Sequence, residues 1–196
     1  MIRLSLLIVF ALVSCQPVLK AAYGVKKPTL EQKKDVREFV HRNGIDSTRL
    51  VFFRDFNMFI DASQKKLLSF PDAYFFNSQG QLVKYNKTAT ECNAGVDLFL
   101  TELQNFDHHP IDSTRTETDL RRLLRVSNED SASITVYITF ANYIGRLNKE
   151  KTFVWVDLIE KARAAGISIN YYLVNCDFLR EWNIPEETRK ALGIKS

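Results

Sequence analysis

The chain has 196 residues, of which 45% are hydrophobic and 26% are charged, as in an ordinary globular protein with one hydrophobic core. It carries 27 basic and 23 acidic residues, and the resulting net charge of +4 is too small to indicate a nucleic-acid partner.

The N-terminus has the features of an export signal. Arg3 provides one positive charge, and an apolar run follows from Leu4 to Val13. This run is shorter than the roughly 20 apolar residues that a membrane-spanning helix needs. Because the small residue Ser14 closes the run just before Cys15, residues 1–14 are predicted to be a secretory signal peptide.

The residues Leu12-Val13-Ser14-Cys15 resemble the lipobox of bacterial lipoproteins. The resemblance implies that the Cys15 thiol is diacylated, that the signal is cleaved before it, and that the new amine is acylated. Two or more acyl chains would then anchor the protein stably in a bilayer. By the same resemblance, Gln16 and the lack of acidic residues over 16–20 favour the outer membrane, with the domain facing the periplasm. An ordinary signal peptide with an incidental Cys15 is the alternative.

The exported chain divides into two parts. Residues 15–29 contain Pro17, Gly24 and Pro28 and are predicted to be a tether, whereas residues 30–196 are predicted to form a single α/β domain. Lysines cluster near the anchor, where they could contact anionic lipid head groups or simply be solvated. They are Lys20, Lys26, Lys27, Lys33 and Lys34. The predicted partner is the lipid bilayer, through acylated Cys15, and another envelope protein is a candidate second partner.

The first half of the domain shows alternating helix and strand patterns. Thr29 and Gln32 have the spacing of an imperfect capping box, which predicts a helix from residue 30 to Asn43-Gly44. The later predicted elements are a strand over 50–53, a helix over about 56–66, a β-hairpin of strands 73–76 and 82–85, and a helix after Asn93.

The second half begins with a polar stretch, 105–118, that is predicted to be irregular. The predicted elements after it are a short helix over 119–126, a strand over 134–140, a long helix over about 148–165, a strand over 169–174, a helical segment from Phe178 to Trp182, and a terminal helix begun by Pro185. A strand, a long helix and a strand in succession indicate a parallel βαβ unit. Together with the hairpin, this predicts a three-layer α/β sandwich with a mixed sheet.

The stretch Phe140–Leu147, between the best strand and the long helix, resembles the active-site pattern of thioredoxins. The resemblance places Ile144 and Leu147 at the two cysteine positions and Ile138 at the position of the buried acid. Thiol–disulfide exchange needs a thiolate and a second thiol to resolve the mixed disulfide. The sequence therefore argues against thioredoxin chemistry at this site.

Residues 49–100 resemble the later part of a thioredoxin, in which a cis-proline before a strand borders the active site. Pro71 would be that proline. The two resembling parts occur in the reverse of the family's order, so a thioredoxin-like fold here would be permuted. A different α/β sandwich is the alternative.

Two cysteines remain after Cys15, namely Cys92 and Cys176. They could form a disulfide in the periplasm or remain two separate buried thiols. A helix predicted after Cys92 would lower the pKa of its thiol, whereas neighbouring Glu91 would raise it. The leading functional prediction is a membrane-anchored, non-catalytic binding or interaction domain, and the alternative is a thiol-dependent redox enzyme that uses Cys92, possibly with Cys176.

No metal or cofactor is predicted. His108 and His109 follow Asp107, but adjacent histidines rarely ligate one ion together, and a third ligand is not evident. Glycine-rich phosphate loops, nucleophile elbows and His-Glu-x-x-His motifs do not occur in the sequence.

Overall fold

The computed structural model describes residues 23–85, 96–126 and 132–195. The predicted signal peptide, the lipidation residue Cys15 and the redox candidate Cys92 lie outside these residues. The α-helices within them are α1 (Lys33–Arg42), α2 (Phe56–Gln64), α3 (Val96–Thr101), α4 (Glu117–Leu124), α5 (Phe153–Ala164) and α6 (Glu186–Ala191). The strands are β1 (Leu30–Glu31), β2 (Leu50–Phe52), β3 (Asp72–Asn77), β4 (Gln81–Val83), β5 (Ile111–Thr116), β6 (Ile134–Phe140), β7 (Ile169–Asn175) and β8 (Phe178–Leu179).

The main sheet is mixed and has six strands in the order β2-β7-β6-β3-β4-β5. β2, β7 and β6 are parallel to one another, and β3, β4 and β5 continue the sheet in antiparallel pairs. The pairing of β6 with β7 runs from Ile134↔Ile169 to Phe140↔Asn175, so the predicted parallel βαβ unit is confirmed.

β6 lies in the middle of the sheet because its residues suit burial on both faces. Every residue of this strand is buried, and the side chains of Val136, Ile138 and Phe140 pack on one face of the sheet. Tyr137 alternates to the other face, as the two-residue period of a strand requires. The prediction of a central strand over residues 134–140 is confirmed.

Helices cover both faces of the sheet, and each face has its own apolar cluster. One cluster packs α1, α3 and α5 against the sheet through residues such as Val40, Phe99 and Ile159. The other packs α2 and α4 through residues such as Phe59 and Leu123. The chain is therefore a three-layer α/β sandwich with a mixed sheet, as the sequence predicts.

The hairpin of β3 and β4 is also confirmed. Gly80 takes a left-handed backbone conformation at φ 70°, which glycine adopts without steric penalty. The side chain of Asn77 stabilises the turn by accepting hydrogen bonds from the backbone N–H groups of Gln79 and Gln81.

Three predictions of local structure are wrong. The stretch 105–118 contains the edge strand β5, because pairing with β4 gives this polar segment its hydrogen bonds. Thr29 does not cap a helix; its hydroxyl donates to Glu31, and α1 begins only at Lys33. Residues 178–182 begin as β8 and continue as a 3₁₀ turn rather than as a helix, because β8 pairs in parallel with β1.

Candidate functional site

The candidate site lies at the carboxyl ends of the parallel strands, the edge where ligands bind in open α/β sheets. The loop after β6 begins with Ala141, Asn142 and Tyr143, and residues 142–144 form one 3₁₀ turn. The loop after β7 brings Cys176 and Asp177 beside it, and the Cys176 N–H donates to the Phe140 carbonyl oxygen at 2.7 Å. The fold thus joins the thioredoxin-resembling stretch to one of the predicted redox cysteines.

Asp177 holds the two loops together. Its side chain is fully buried, and its carboxylate oxygens accept the backbone N–H of Asn142 at 2.9 and 3.0 Å. The Asn175 side-chain amide donates to the same carboxylate at 2.6 Å. Burial raises the pKa of Asp177 to about 7, against these hydrogen bonds, which lower it. Asp177 is not predictable as a site residue from the sequence, because nothing in its sequence neighbourhood signals burial of an acid.

Cys176 is a free thiol with no exposed surface. Burial, with a smaller contribution from neighbouring Asp177, raises the pKa of this thiol well above its usual value. A thiolate is the reactive form of cysteine, so this environment makes Cys176 an inert structural residue. The thiol of Cys176 is therefore present but is not a reactive one.

The positions that carry cysteines in thioredoxins carry packed apolar side chains here. Ile144 is buried at the end of the 3₁₀ turn, and Leu147 is half-buried against the same apolar cluster. Ile138, at the position of the family's buried acid, has no exposed surface. Among the described residues, this edge of the sheet offers neither a thiol pair nor a proton-transferring acid at the family's positions.

The entry into α5 is irregular. Residues Asn148–Thr152 form a π-helical turn before α5, and such turns are frequent at functional sites. The Asn148 side chain is fully buried and donates to the Ala141 carbonyl oxygen at 2.9 Å. Its own side-chain oxygen, and that of Asn142, are buried without a hydrogen-bond partner among the described residues.

Pro71 lies at the start of β3, and the Phe70–Pro71 bond is cis, as the thioredoxin resemblance implies. The Phe70 ring meets the Tyr143 ring edge-on, with centroids 5.8 Å apart. Hence the two stretches that carry the resemblance, although far apart in the chain, contact each other beside the candidate site.

The segment that precedes β1 crosses the loop after β6. The Lys26 N–H donates to the Tyr143 carbonyl oxygen at 2.7 Å. Gly145 has a φ of 62°, and a Cβ there would stand 2.5 Å from the Tyr23 carbonyl oxygen. Glycine is therefore required at this position on two grounds. Sequence analysis missed this contact, and Gly145 was the residue that could have signalled it.

A cavity of about 430 Å³ opens where this segment meets the loop after β6 and the C-terminus. The C-terminal wall is fixed by the Lys195 N–H, which donates to the Pro28 carbonyl oxygen at 2.9 Å. The lining residues are Lys26, Lys27, Thr29, Glu31, Asn142, Tyr143 and Lys195. We name this feature the lysine cavity.

The histidines do not converge on a metal site in the part of the chain that the structure describes. His109 lies 3.8 Å from the Glu102 carboxylate and packs edge-on against the Tyr85 ring, whereas His108 is exposed. Among the described residues, no helix combines the length and apolar character that a bilayer crossing requires.

The chain matches no family model, no curated protein and no solved structure. Its function is therefore inferred from the side chains at the carboxyl edge of the sheet.

Proposed function

We propose that the chain is a lipid-anchored protein of the bacterial envelope whose α/β domain binds a ligand or partner and does not catalyse thiol exchange. One observation supports the absence of thiol exchange. At the sheet edge where the thioredoxin resemblance lies, Ile144 and Leu147 are packed apolar side chains, and the neighbouring thiol, Cys176, is fully buried. A thiol exchange centre needs the opposite, an accessible thiol of low pKa.

We also infer a thioredoxin-like, permuted arrangement of the domain. The two resembling stretches belong to adjacent strands of one sheet, because β6 pairs with β3 over six residue pairs, from Asp72↔Thr139 to Asn77↔Ile134. Pro71 and the loop after β6 consequently lie side by side. This neighbourhood supports the inference because the proline borders the active site in that family.

The lipid anchor is proposed on the lipobox alone. Replacing Cys15 by serine removes the acylated thiol, so the Cys15→Ser chain is expected to incorporate no labelled palmitate and to remain as an uncleaved or a soluble exported form. The wild-type chain, expressed beside it, is expected to take up the label. Label in the Cys15→Ser chain would refute the anchor.

Thiol chemistry is tested by the reduction of insulin, with dithiothreitol as the electron donor. No turnover above the dithiothreitol background is expected from the wild-type protein, since the described edge carries no accessible thiol. The Cys92→Ser and Cys176→Ser variants serve as matched controls. Turnover by the wild type that disappears in Cys92→Ser alone would overturn the binding proposal in favour of a redox enzyme that acts through Cys92.

A further inference from the structure

The lysine cavity carries an excess of positive charge that the described residues do not neutralise. Three lysines, Lys26, Lys27 and Lys195, line it, and Glu31 is the acidic residue among the described residues of its lining. Within the described ranges, none of the three ammonium groups forms an ion pair.

The wall of the cavity is rigidly built although its lysines are exposed. Residues 26–31 are fastened at three places: Lys26 bonds to the loop after β6, Pro28 bonds to Lys195, and β1 pairs with β8. Glu31 accepts the Thr29 hydroxyl at 2.6 Å, so part of its hydrogen-bonding capacity is already used. The backbone thus holds lysines from both ends of the described chain around one opening.

We propose that the lysine cavity binds a phosphate-bearing ligand, with the phosphate held by Lys26, Lys27 and Lys195. Phosphate fits because ammonium groups act on it as point charges and its several oxygens accept donors that converge from different sides. The cavity, at about 430 Å³, falls in the range of small-molecule sites and leaves room for the group that the phosphate esterifies.

Two sources could supply the phosphate: a soluble phosphate ester or the head group of an anionic lipid. The lipid source rests on the proposed function. If Cys15 is acylated, the chain from Cys15 to Lys26 spans at most about 40 Å even when fully extended, which limits the distance of the lysine cavity from the bilayer surface.

The first arm of the test uses the full lipidated protein in bilayer discs of phosphatidylcholine and titrates it with glycerol phosphate by calorimetry. Saturable binding is expected, and Lys27→Gln with Lys195→Gln is expected to weaken it about tenfold or more, because each lost charge-assisted contact is large. The matched control is Lys84→Gln with Lys161→Gln, which removes the same charge from exposed lysines outside the cavity. The control is expected to bind as the wild type does.

The second arm replaces part of the phosphatidylcholine by phosphatidylglycerol and omits glycerol phosphate. The acetylation of Lys27 and Lys195 by an amine reagent is then followed by mass spectrometry, with Lys84 and Lys161 as internal references. Protection of the cavity lysines alone would support the lipid head group as the source. Saturable binding of glycerol phosphate without such protection would support a soluble ester.

The proposal is overturned if neither arm gives a response, if both double variants weaken binding equally, or if acetate at the same ionic strength binds as tightly as phosphate. The first arm remains valid without an anchor, because an unlipidated chain can be titrated directly. Loss of phosphate binding in a protein that still takes up palmitate and reduces no insulin would remove this site and leave the proposed function standing.

Discussion

Two acidic side chains, one largely buried and one fully buried, are stabilised in different ways. Glu117, at the start of α4, pairs with Arg121 at 2.7 Å and accepts the Tyr137 hydroxyl at 3.0 Å. Within the described ranges, the hydrogen-bond donors to Asp177 are neutral: the backbone N–H groups of Asn142 and Tyr143 and the Asn175 amide. Glu117 therefore has a compensating charge, whereas the uncompensated Asp177 has a pKa of about 7.

The comparison separates a region that an ion pair holds in place from a region whose charge can change near neutral pH. The ion pair of Glu117 and Arg121, with the Tyr137 hydrogen bond, anchors α4 to the sheet. A buried carboxylate without a cation can gain a proton near neutral pH. Because Asp177 joins the loops after β6 and β7, the candidate site is the region whose charge can change near neutral pH.

The largest expected effect comes from β6. Tyr137 of this strand binds Glu117, and the loop that follows the strand binds Asp177. Ile138 is fully buried there, so Ile138→Ala is expected to lower the free energy of unfolding by about 2–5 kcal/mol through lost burial and a cavity. Val154→Ala, at a side chain that is 45% exposed, is the control and should change little. Urea melts measure both, and a loss below about 0.5 kcal/mol for Ile138→Ala would refute the central role of β6.

The second prediction concerns the pH dependence of stability at Asp177. Its pKa rises from 3.8 in the unfolded chain to about 7 in the fold, so the folded state binds this proton more tightly. The contribution of Asp177 to stability is accordingly full below about pH 4 and is lost as the pH rises to about 7, by about 4 kcal/mol at most.

The Asp177→Asn variant isolates this contribution, because its side chain does not titrate. The stability advantage of the wild type over Asp177→Asn is expected to shrink between pH 4.5 and pH 8, as measured by urea melts. Asp157→Asn, which makes the same chemical change at an exposed carboxylate, is the matched control for the substitution itself. A constant difference for Asp177→Asn would mean that Asp177 has an ordinary pKa in the fold.

The third prediction tests the ion pair between Glu117 and Arg121. Arg121→Met keeps most of the apolar contact and leaves Glu117 without its cation, and both side chains are only 12% exposed. Removal of one partner from a buried pair is strongly destabilising, and partial exposure reduces the expected loss here to about 2 kcal/mol. Arg122→Met, whose side chain is 61% exposed and pairs with Asp119, is the control. Equal effects from the two variants would contradict the distinction.

The smallest expected effect is that of Tyr137→Phe. It removes one hydrogen bond to Glu117 and leaves the ring stacked on Tyr172, so a loss of about 1 kcal/mol is expected in a thermal or urea melt. Arg121 still pairs with Glu117 in this variant, so the loss should be smaller than that of Arg121→Met. A loss as large as that of Arg121→Met would contradict this order.

Cys92, Cys15 and the signal peptide lie outside the described residues, so their roles remain predictions.

The loop that carries the histidines shows that residues adjacent in the sequence need not share contacts in the fold. His108 and His109 are neighbours in the chain, but His108 is exposed, whereas His109 lies 3.8 Å from the Glu102 carboxylate.

The sequence by itself determined the elements whose pattern is strong and local. The apolar run Ile134–Phe140 is a buried central strand, Asn77–Gly80 is a turn, and the strand-helix-strand order around α5 makes a parallel unit, since period and turn chemistry act within a few residues of chain. Those elements were sufficient to predict the fold class.

Only the tertiary structure decided the features that depend on distant partners. β5 is a strand because β4 offers it hydrogen bonds, and β1 is a strand because β8 lies beside it. Asp177 has a raised pKa because the fold buries it away from water. The lysine cavity exists because Lys26 and Lys195, 169 positions apart in the printed sequence, line one opening. A side chain's own sequence neighbourhood does not record which distant groups surround it, and those groups set its charge and contacts.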